Sequence, residues 1–425
     1  SIESMRDLAP FDAPGWFSIR SMGNQRIEVK VDPVYLADGY RVLLSVDGVN
    51  FNCPYTLMEP EGSIGGLEND RLYYVKVSGV NVNGLGPFCK DILCVRTSSE
   101  ENNILLVQGF DKDVTGNDHD LCRDHAELIA EAGIGMDAIS DEALLETDID
   151  LDQYEMIDWI CGIDNDILTS ENKQIISSYL EAGGKLFISG SQLIEGVTGA
   201  NLDADFYNKY LKATWKKSDA RTYDVETIAS GIFNGLNDFS FDDGSMIFDV
   251  ERPDGFKPLG NAESCLLYSE KDSSSYGSAA LQYTGTFGES AEEAQLVYMG
   301  FPLEAMFSDS IRKAVMLCVL DYFDFDVSLT AIDNNDIPNS VELRQNYPNP
   351  FNPITTINYQ LSADSDVDIT IYTLKGKKIN TLINKHQKAG NYEINFNGSN
   401  LSSGVYICRL KAGEFMKSMK MLLLK

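Results

Sequence analysis

Three histidines, His119, His125 and His386, are the whole imidazole supply of this 425-residue chain. A serine or cysteine nucleophile needs such a base within hydrogen-bond reach, and a backbone turn that donates to an oxyanion. One turn has a suitable form: the run Lys185-Leu186-Phe187-Ile188-Ser189 ends at Gly190-Ser191-Gln192, where a strand would give way to a helix. Ser191 is therefore the candidate nucleophile. Its neighbours do not spell Gly-x-Ser-x-Gly, the turn holds no cysteine, and no histidine is close to it in the chain. The expectation is a hydroxyl that caps its turn rather than one that attacks. Zinc is poorly served as well, because His119 and His125 are six residues apart and not four, and no third ligand is evident.

Calcium is the better-supported ion. Asp111, Asp113 and Thr115 place oxygen donors at positions one, three and five of a loop with Gly116 at position six, but position twelve is Cys122 where a bidentate Glu belongs. Asp164-Asn165-Asp166 and Asp242-Asp243-Gly244 are shorter fragments of the same kind, for which solvated turns are the simpler reading. Eight scattered cysteines lack the Cys-x-x-Cys pairing of a zinc site and are too sparse for a disulfide scaffold. Trp159, at strand spacing among apolar residues, reads as core and not as a sugar platform.

The elements that would position these residues fall into three segments. Residues 1–101 show short alternating strands such as Arg26 to Val31 and Arg41 to Val46, the latter closed by Asp47-Gly48, which is the pattern of a β-sandwich. Residues 102–332 change to an α/β rhythm. Strands are expected at Ile104 to Val107, Met136 to Ile139, Met156 to Cys161, Lys185 to Ser189, Cys265 to Tyr268, Ala279 to Tyr283 and Gln295 to Gly300. Helices are expected at Asp120 to Glu131, Ser170 to Glu181 and Ser308 to Phe323. This describes a doubly wound open sheet with β insertions, whose ligand crevice belongs at the carboxyl ends of the strands. Residues 339–425 read as a small β-sandwich, with turn-rich joints near Ser98 to Asn103 and Asp333 to Ser340.

Charge separates the segments further. The chain carries 34 basic and 65 acidic residues for a net charge of −31. Residues 102–338 hold 14 basic and 45 acidic residues, whereas residues 339–425 hold 11 and 6. Such a field argues against nucleic acid as a partner, and against a lyase for acidic polysaccharides unless a local basic pocket exists. No Lys or Arg cluster in the sequence announces one. No transmembrane segment is expected, and an exported form would already have lost its signal peptide.

Three resemblances follow from quoted motifs. Gly66 to Val77 followed by Asn81-Val82-Asn83-Gly84 resembles the later strands of a fibronectin type III domain, with Tyr73 or Tyr74 as its corner tyrosine. Val107 to Asp111, Tyr154 to Ile160, Gly183 to Ser191 and Met299 to Glu304 resemble the amidotransferase-like domain of secreted bacterial proteins labelled xanthan lyase or N-acetylmuramoyl-L-alanine amidase. Leu343-Arg344-Gln345-Asn346-Tyr347-Pro348-Asn349-Pro350-Phe351-Asn352-Pro353, together with the strands that follow it, closely resembles the C-terminal sorting domain of type IX secretion cargo.

These resemblances imply a multidomain protein, secreted through the periplasm and displayed at the cell surface or released, with the type IX machinery as partner through residues 339–425. The implied role is adhesive or structural. A homo-oligomer or filament is expected from joining a basic tail to an acidic body. The alternative is a cell-wall or polysaccharide hydrolase or lyase, or an accessory domain of one.

Overall fold

A computed structural model describes residues 10, 12–109, 121–163, 168–193, 202–217, 219–241, 250, 252–269, 271–306, 308–327, 342–343, 346, 348–361, 365–387, 390–413 and 415–425. The chain forms two compact units, the first built from residues 1–241, 250–306 and 311–329 and the second chiefly from residues 330–425.

In the first unit the strands β1 (Phe17–Ser21), β2 (Arg26–Val31), β3 (Gly39–Ser45), β4 (Cys53–Leu57), β5 (Glu61–Gly65), β6 (Leu72–Asn81), β7 (Gly84–Phe88) and β8 (Leu93–Arg96) come first. They make two layers, β1-β2-β5 and β4-β3-β6-β7, with β8 also on β6. Alternation in β1 and β2 turns Phe17, Ile19, Ile27, Val29 and Val31 inward, each at most 1% exposed. The corner tyrosine is Tyr73, whose hydroxyl accepts the Glu68 amide at 2.9 Å. Tyr74 points elsewhere and donates to Glu127 Oε1 at 2.6 Å. The Asp47-Gly48 turn closes on itself, because Asp47 Oδ1 accepts the amides of Val49 and Asn50 at 2.9 and 2.7 Å.

The α/β part follows with β9 (Ile104–Gln108), α1 (Leu121–Glu131), β10 (Asp137–Ser140), α2 (Asp141–Glu146), β11 (Met156–Gly162), α3 (Ser170–Glu181), β12 (Lys185–Gly190) and α4 (Leu202–Lys209). An insertion then supplies β13 (Ala213–Lys217), β14 (Asp224–Thr227), β15 (Phe239–Ser240), β16 (Gly255–Pro258), β17 (Glu263–Tyr268), α5 (Ser273–Tyr276) and β18 (Ser278–Thr286). The segment ends with β19 (Glu293–Met299), a 3-10 turn at Leu303–Ala305 and α6 (Asp309–Tyr322). Strands β10-β9-β11-β12-β19 lie side by side in parallel. Every residue of β9 and β11 is buried, which is why both read as apolar runs without alternation.

Right-handed crossovers put the helix after β9 and the helix after β11 on opposite faces, because the order runs away from β9 in both directions. Side-chain contacts agree with this arrangement. Asp124 and Glu131 of α1 meet Arg312 and Lys313 of α6 at 3.6 and 2.8 Å, while Asn172 of α3 donates to Asp141 of α2 at 2.9 Å. Thr169 caps α3 by accepting the Asn172 amide at 3.1 Å, and Gly183 (φ 95°) stops the helix in the left-handed conformation that a side chain would resist.

The sandwich and the α/β part share one 14-stranded sheet, because β1 pairs antiparallel with β10 through Ser18–Ile139 and Ile19–Ala138. The polar stretch after β8 is packed against this seam and does not hang as a free linker. Asp137, 2% exposed, accepts from the Ser21 amide (2.8 Å), Asn102 Nδ2 (2.6 Å) and the Tyr154 hydroxyl (2.9 Å), and Asn102 also donates to the Arg96 carbonyl at 3.0 Å. Asp137→Ala leaves those donors buried without an acceptor. It should cost about 3 kcal/mol or more in urea unfolding, with Asp137→Asn costing less.

The second unit pairs a 3-stranded sheet, β20 (Glu342–Leu343), β21 (Ile354–Leu361) and β24 (Gly390–Asn397), with a 4-stranded one of β22 (Ser365–Thr373), β23 (Lys378–Gln387), β25 (Gly404–Ala412) and β26 (Phe415–Leu423). Its proline-rich motif is a plug: Phe351, 1% exposed, sits in the core with Ile357, Ile369 and Leu423. The plug is stitched to the last strand by Phe351 N to Leu422 O at 2.9 Å and by the Leu422 amide to Asn349 Oδ1 at 2.7 Å.

Candidate functional site

The buried strand β11 carries one charged residue, Asp158, in the run Met156-Ile157-Asp158-Trp159-Ile160. Its side chain lies on the face covered by α1, where it meets His125, and the turn after β19 brings Glu304 to the same ring. His125 Nδ1 donates to Asp158 Oδ2 at 2.7 Å and Nε2 donates to Glu304 Oε2 at 3.2 Å. Exposure is 0% for His125 and Asp158 and 2% for Glu304. Both partners are carboxylate oxygens, so both ring nitrogens carry hydrogen and the ring is an imidazolium. Burial alone would pull its pKa down. Asp158 and Glu304 outweigh that and push it up to about 10. Asp158 itself is raised, by burial that its bond to His125 only partly offsets.

A histidine oriented by aspartate is half of a nucleophile-activating triad, whose other half needs a free Nε2 to take a proton. Here Nε2 faces Glu304. The arrangement can hold α1, β11 and the post-β19 turn together, and it leaves the ring no lone pair. Asp158 Oδ1 and Glu304 Oε1 find no partner among the described residues, so the cluster is rich in negative charge around a single cation.

Ser191 follows β12 and is 0% exposed; its amide donates to the Gly162 carbonyl at 2.9 Å, and its hydroxyl has no partner among the described residues. The expected capping bond from its Oγ is not formed among the described residues. Gln192 (φ 64°) turns the chain, its side chain donating to the Ile163 carbonyl at 3.0 Å, and the Leu193 amide is held by Asp254 Oδ2 at 2.8 Å. Among the described residues no histidine, cysteine or carboxylate reaches the Ser191 hydroxyl. The calcium candidates Asp111, Asp113 and Thr115, like His119, Asp164-Asn165-Asp166 and Asp242-Asp243-Gly244, lie outside the described residues. Among the described residues no group of three His, Cys, Asp or Glu side chains is placed to hold a metal ion. Trp159 is 0% exposed, as core should be.

A basic pocket, which the sequence does not announce, is present in the insertion. Lys216 and Lys257 line an open hollow of about 650 Å³, and Lys217 and Lys271 each lie 5.5 Å from the ring centre of adjacent Tyr276. Strand pairing gathers these lysines from three places in the chain.

Residues 345–425 match the family model described as "Secretion system C-terminal sorting domain". No curated protein matches the chain. Among solved structures, the chain is similar to the FN1–FN3 domains of chicken CNTN1 at 20% identity, covering 21% of this chain and 33% of that one with a TM-score of 0.20. It is also similar to the third fibronectin III domain of the human KIAA0343 protein (27% identity, 22% and 87% covered, TM-score 0.20) and to the FN5 domain of Drosophila Lar (21% identity, 21% and 97% covered, TM-score 0.18). The chain thus spans 33% of the length of the CNTN1 structure. No described helix is long and apolar enough to cross a membrane. The C-terminal match sets a destination: through its sorting domain the protein is handled by the type IX secretion machinery and delivered to the cell surface or the extracellular space.

Proposed function

We propose that the protein is a non-catalytic, adhesive or structural module of the cell surface, in which the middle domain, with its amidotransferase-like resemblance over residues 103–325, serves as a scaffold. The observation that carries this reading is His125: both ring nitrogens are committed to carboxylates in a sealed cluster, while among the described residues the Ser191 hydroxyl has no base. The alternative, a cell-wall or polysaccharide hydrolase, lyase or accessory domain, would require a base to reach Ser191. Ser191→Ala should therefore leave product release from peptidoglycan and from polysaccharides at the level of the parent protein, measured by reducing-end and free-amine assays. A loss of turnover in that variant would establish the enzyme instead.

Self-association into a homo-oligomer or filament belongs to the same reading. Its support is the charge contrast between the basic residues 339–425 and the acidic remainder. A calcium ion on Asp111, Asp113 and Thr115 is proposed on their spacing alone.

A further inference from the structure

Strand β18 forks at its start. Ser278 is registered with Phe256 of β16 on one side and with Leu267 of β17 on the other, so the two partners diverge from a shared residue. The wedge between them is the 650 Å³ hollow, within the size range of small-molecule and sugar sites. Its rim carries Lys216 and Lys257, its wall Ser230, Ser264 and Ser273, and among the described residues Glu263 is the one carboxylate that lines it.

In a chain with 65 acidic and 34 basic residues, several lysines find carboxylates: Lys185 with Glu155 and Asp324, Lys209 with Asp205, Lys313 with Glu131. The lysines of the fork do not. Lys216 donates only to the Ser274 carbonyl at 3.4 Å, Lys217 and Lys271 flank Tyr276, and none of these three nor Lys257 forms an ion pair with a described carboxylate. Asp272, next to Lys271 in the chain, is occupied: it accepts from the Ser274 amide and from the hydroxyls of Ser274 and Ser275 at 3.1, 2.7 and 2.8 Å, capping α5. Four lysines without an ion pair among the described residues, set around a hydroxyl-lined hollow that holds the single carboxylate Glu263, call for anions that arrive with the ligand. Their ligand must also bear hydroxyls that serine and Glu263 can satisfy.

We propose that the fork of β18 binds an acidic polysaccharide, with Lys216 and Lys257 taking its carboxylate or sulfate groups and the serines and Glu263 its hydroxyls. Repulsion from the acidic body does not forbid this, because charges more than about 10 Å away are largely screened at 0.1 M salt. The inference rests on the hollow and not on the Ser191 turn. Binding without turnover supports both it and the adhesive reading, whereas binding with turnover keeps the site and overturns that reading.

The test is titration of the full chain in 0.1 M salt with polygalacturonate, dextran sulfate, neutral dextran and inorganic phosphate, followed through Trp215, which neighbours Lys216 on β13. Saturable binding of polygalacturonate or dextran sulfate, with neutral dextran silent, is expected; the two polyanions distinguish carboxylate from sulfate as the recognised group. K216E/K257E should weaken it about tenfold or more, K216R/K257R should retain it, and the distant pair K30E/K76E should leave it unchanged. If the charge reversal unfolds the insertion, K216Q/K257Q supplies the same comparison in a milder form. Binding of neutral dextran as tightly as the polyanions, binding of phosphate as tightly as the polymers, or affinity unaltered in a folded K216E/K257E or K216Q/K257Q would overturn the proposal.

Discussion

His125→Ala should destabilise the first unit by about 3–5 kcal/mol, the cost of leaving buried charges without their partner. Asp158 and Glu304 face the same ring from opposite sides, so removing it strands two carboxylates in a site that is 0–2% exposed. The measurement is convenient because Trp16, Trp159 and Trp215 are the only tryptophans and all fall within the first unit, so tryptophan emission during urea unfolding reports that unit alone. A second variant separates loss of charge balance from loss of packing. Adding Asp158→Asn and Glu304→Gln to His125→Ala removes the stranded charges and should recover much of the stability, although the cavity remains. A His125→Ala transition within 1 kcal/mol of the parent, on the order of the worth of an exposed ion pair, would show that the cluster is not a structural latch.

What the sequence could reveal of this cluster was one half of each contact. Asp158 stands out as the charged residue in an apolar strand, and such a residue, once buried, must be paired. Its partners lie 33 residues upstream and 146 residues downstream, and no periodicity connects them. The seam between β1 and β10 was hidden for a similar reason. Antiparallel pairing across more than a hundred residues leaves no local mark, and a polar run such as Ser98 to Asn103 looks like a linker whether or not Asn102 is folded onto Asp137. Local signals fared well: α1, α3 and α6 follow their apolar spacing, α3 follows its Thr169 cap, and Gly133 and Gly183 close the first two at positive φ. The choice between Tyr73 and Tyr74 needed the structure, since adjacent strand residues point to opposite faces and either face could have been the corner. Lysines 216, 217, 257 and 271 are far apart in the chain, and only the fork of β18 makes them one patch.

Stability of the first unit should fall as pH rises from 5 to 8. Burial raises the carboxyl pKa of Asp137 to about 7, an effect that the donors from Ser21, Asn102 and Tyr154 only partly oppose. Asp141 is raised to about 7 by burial and by Glu142, and Asp124 to about 6 by burial against the pull of Arg312. Each group binds its proton more tightly folded than unfolded. Its contribution is therefore complete below the unfolded value near 3.8 and is lost as pH climbs through 6 to 7. His125 has the same sign but a later window, complete below 6.5 and lost only toward about 10. For Asp137 alone, a shift of this size carries on the order of 4 kcal/mol by pH 8. Asp47 and Asp272 act in the opposite sense, but both are fully exposed and lowered, so their loss comes only below pH 4 and leaves the 5 to 8 window untouched. Repulsion within a chain of net charge −31 also grows with pH, so Asp137→Asn is the variant that isolates the buried group. The urea midpoint of the parent should drop steadily from pH 5 to pH 8, and that of Asp137→Asn should drop less. A midpoint that rises over this range, or equal slopes for the two proteins, would mean that Asp137 is ionised at pH 5 and is held at the β1–β10 seam as an anion.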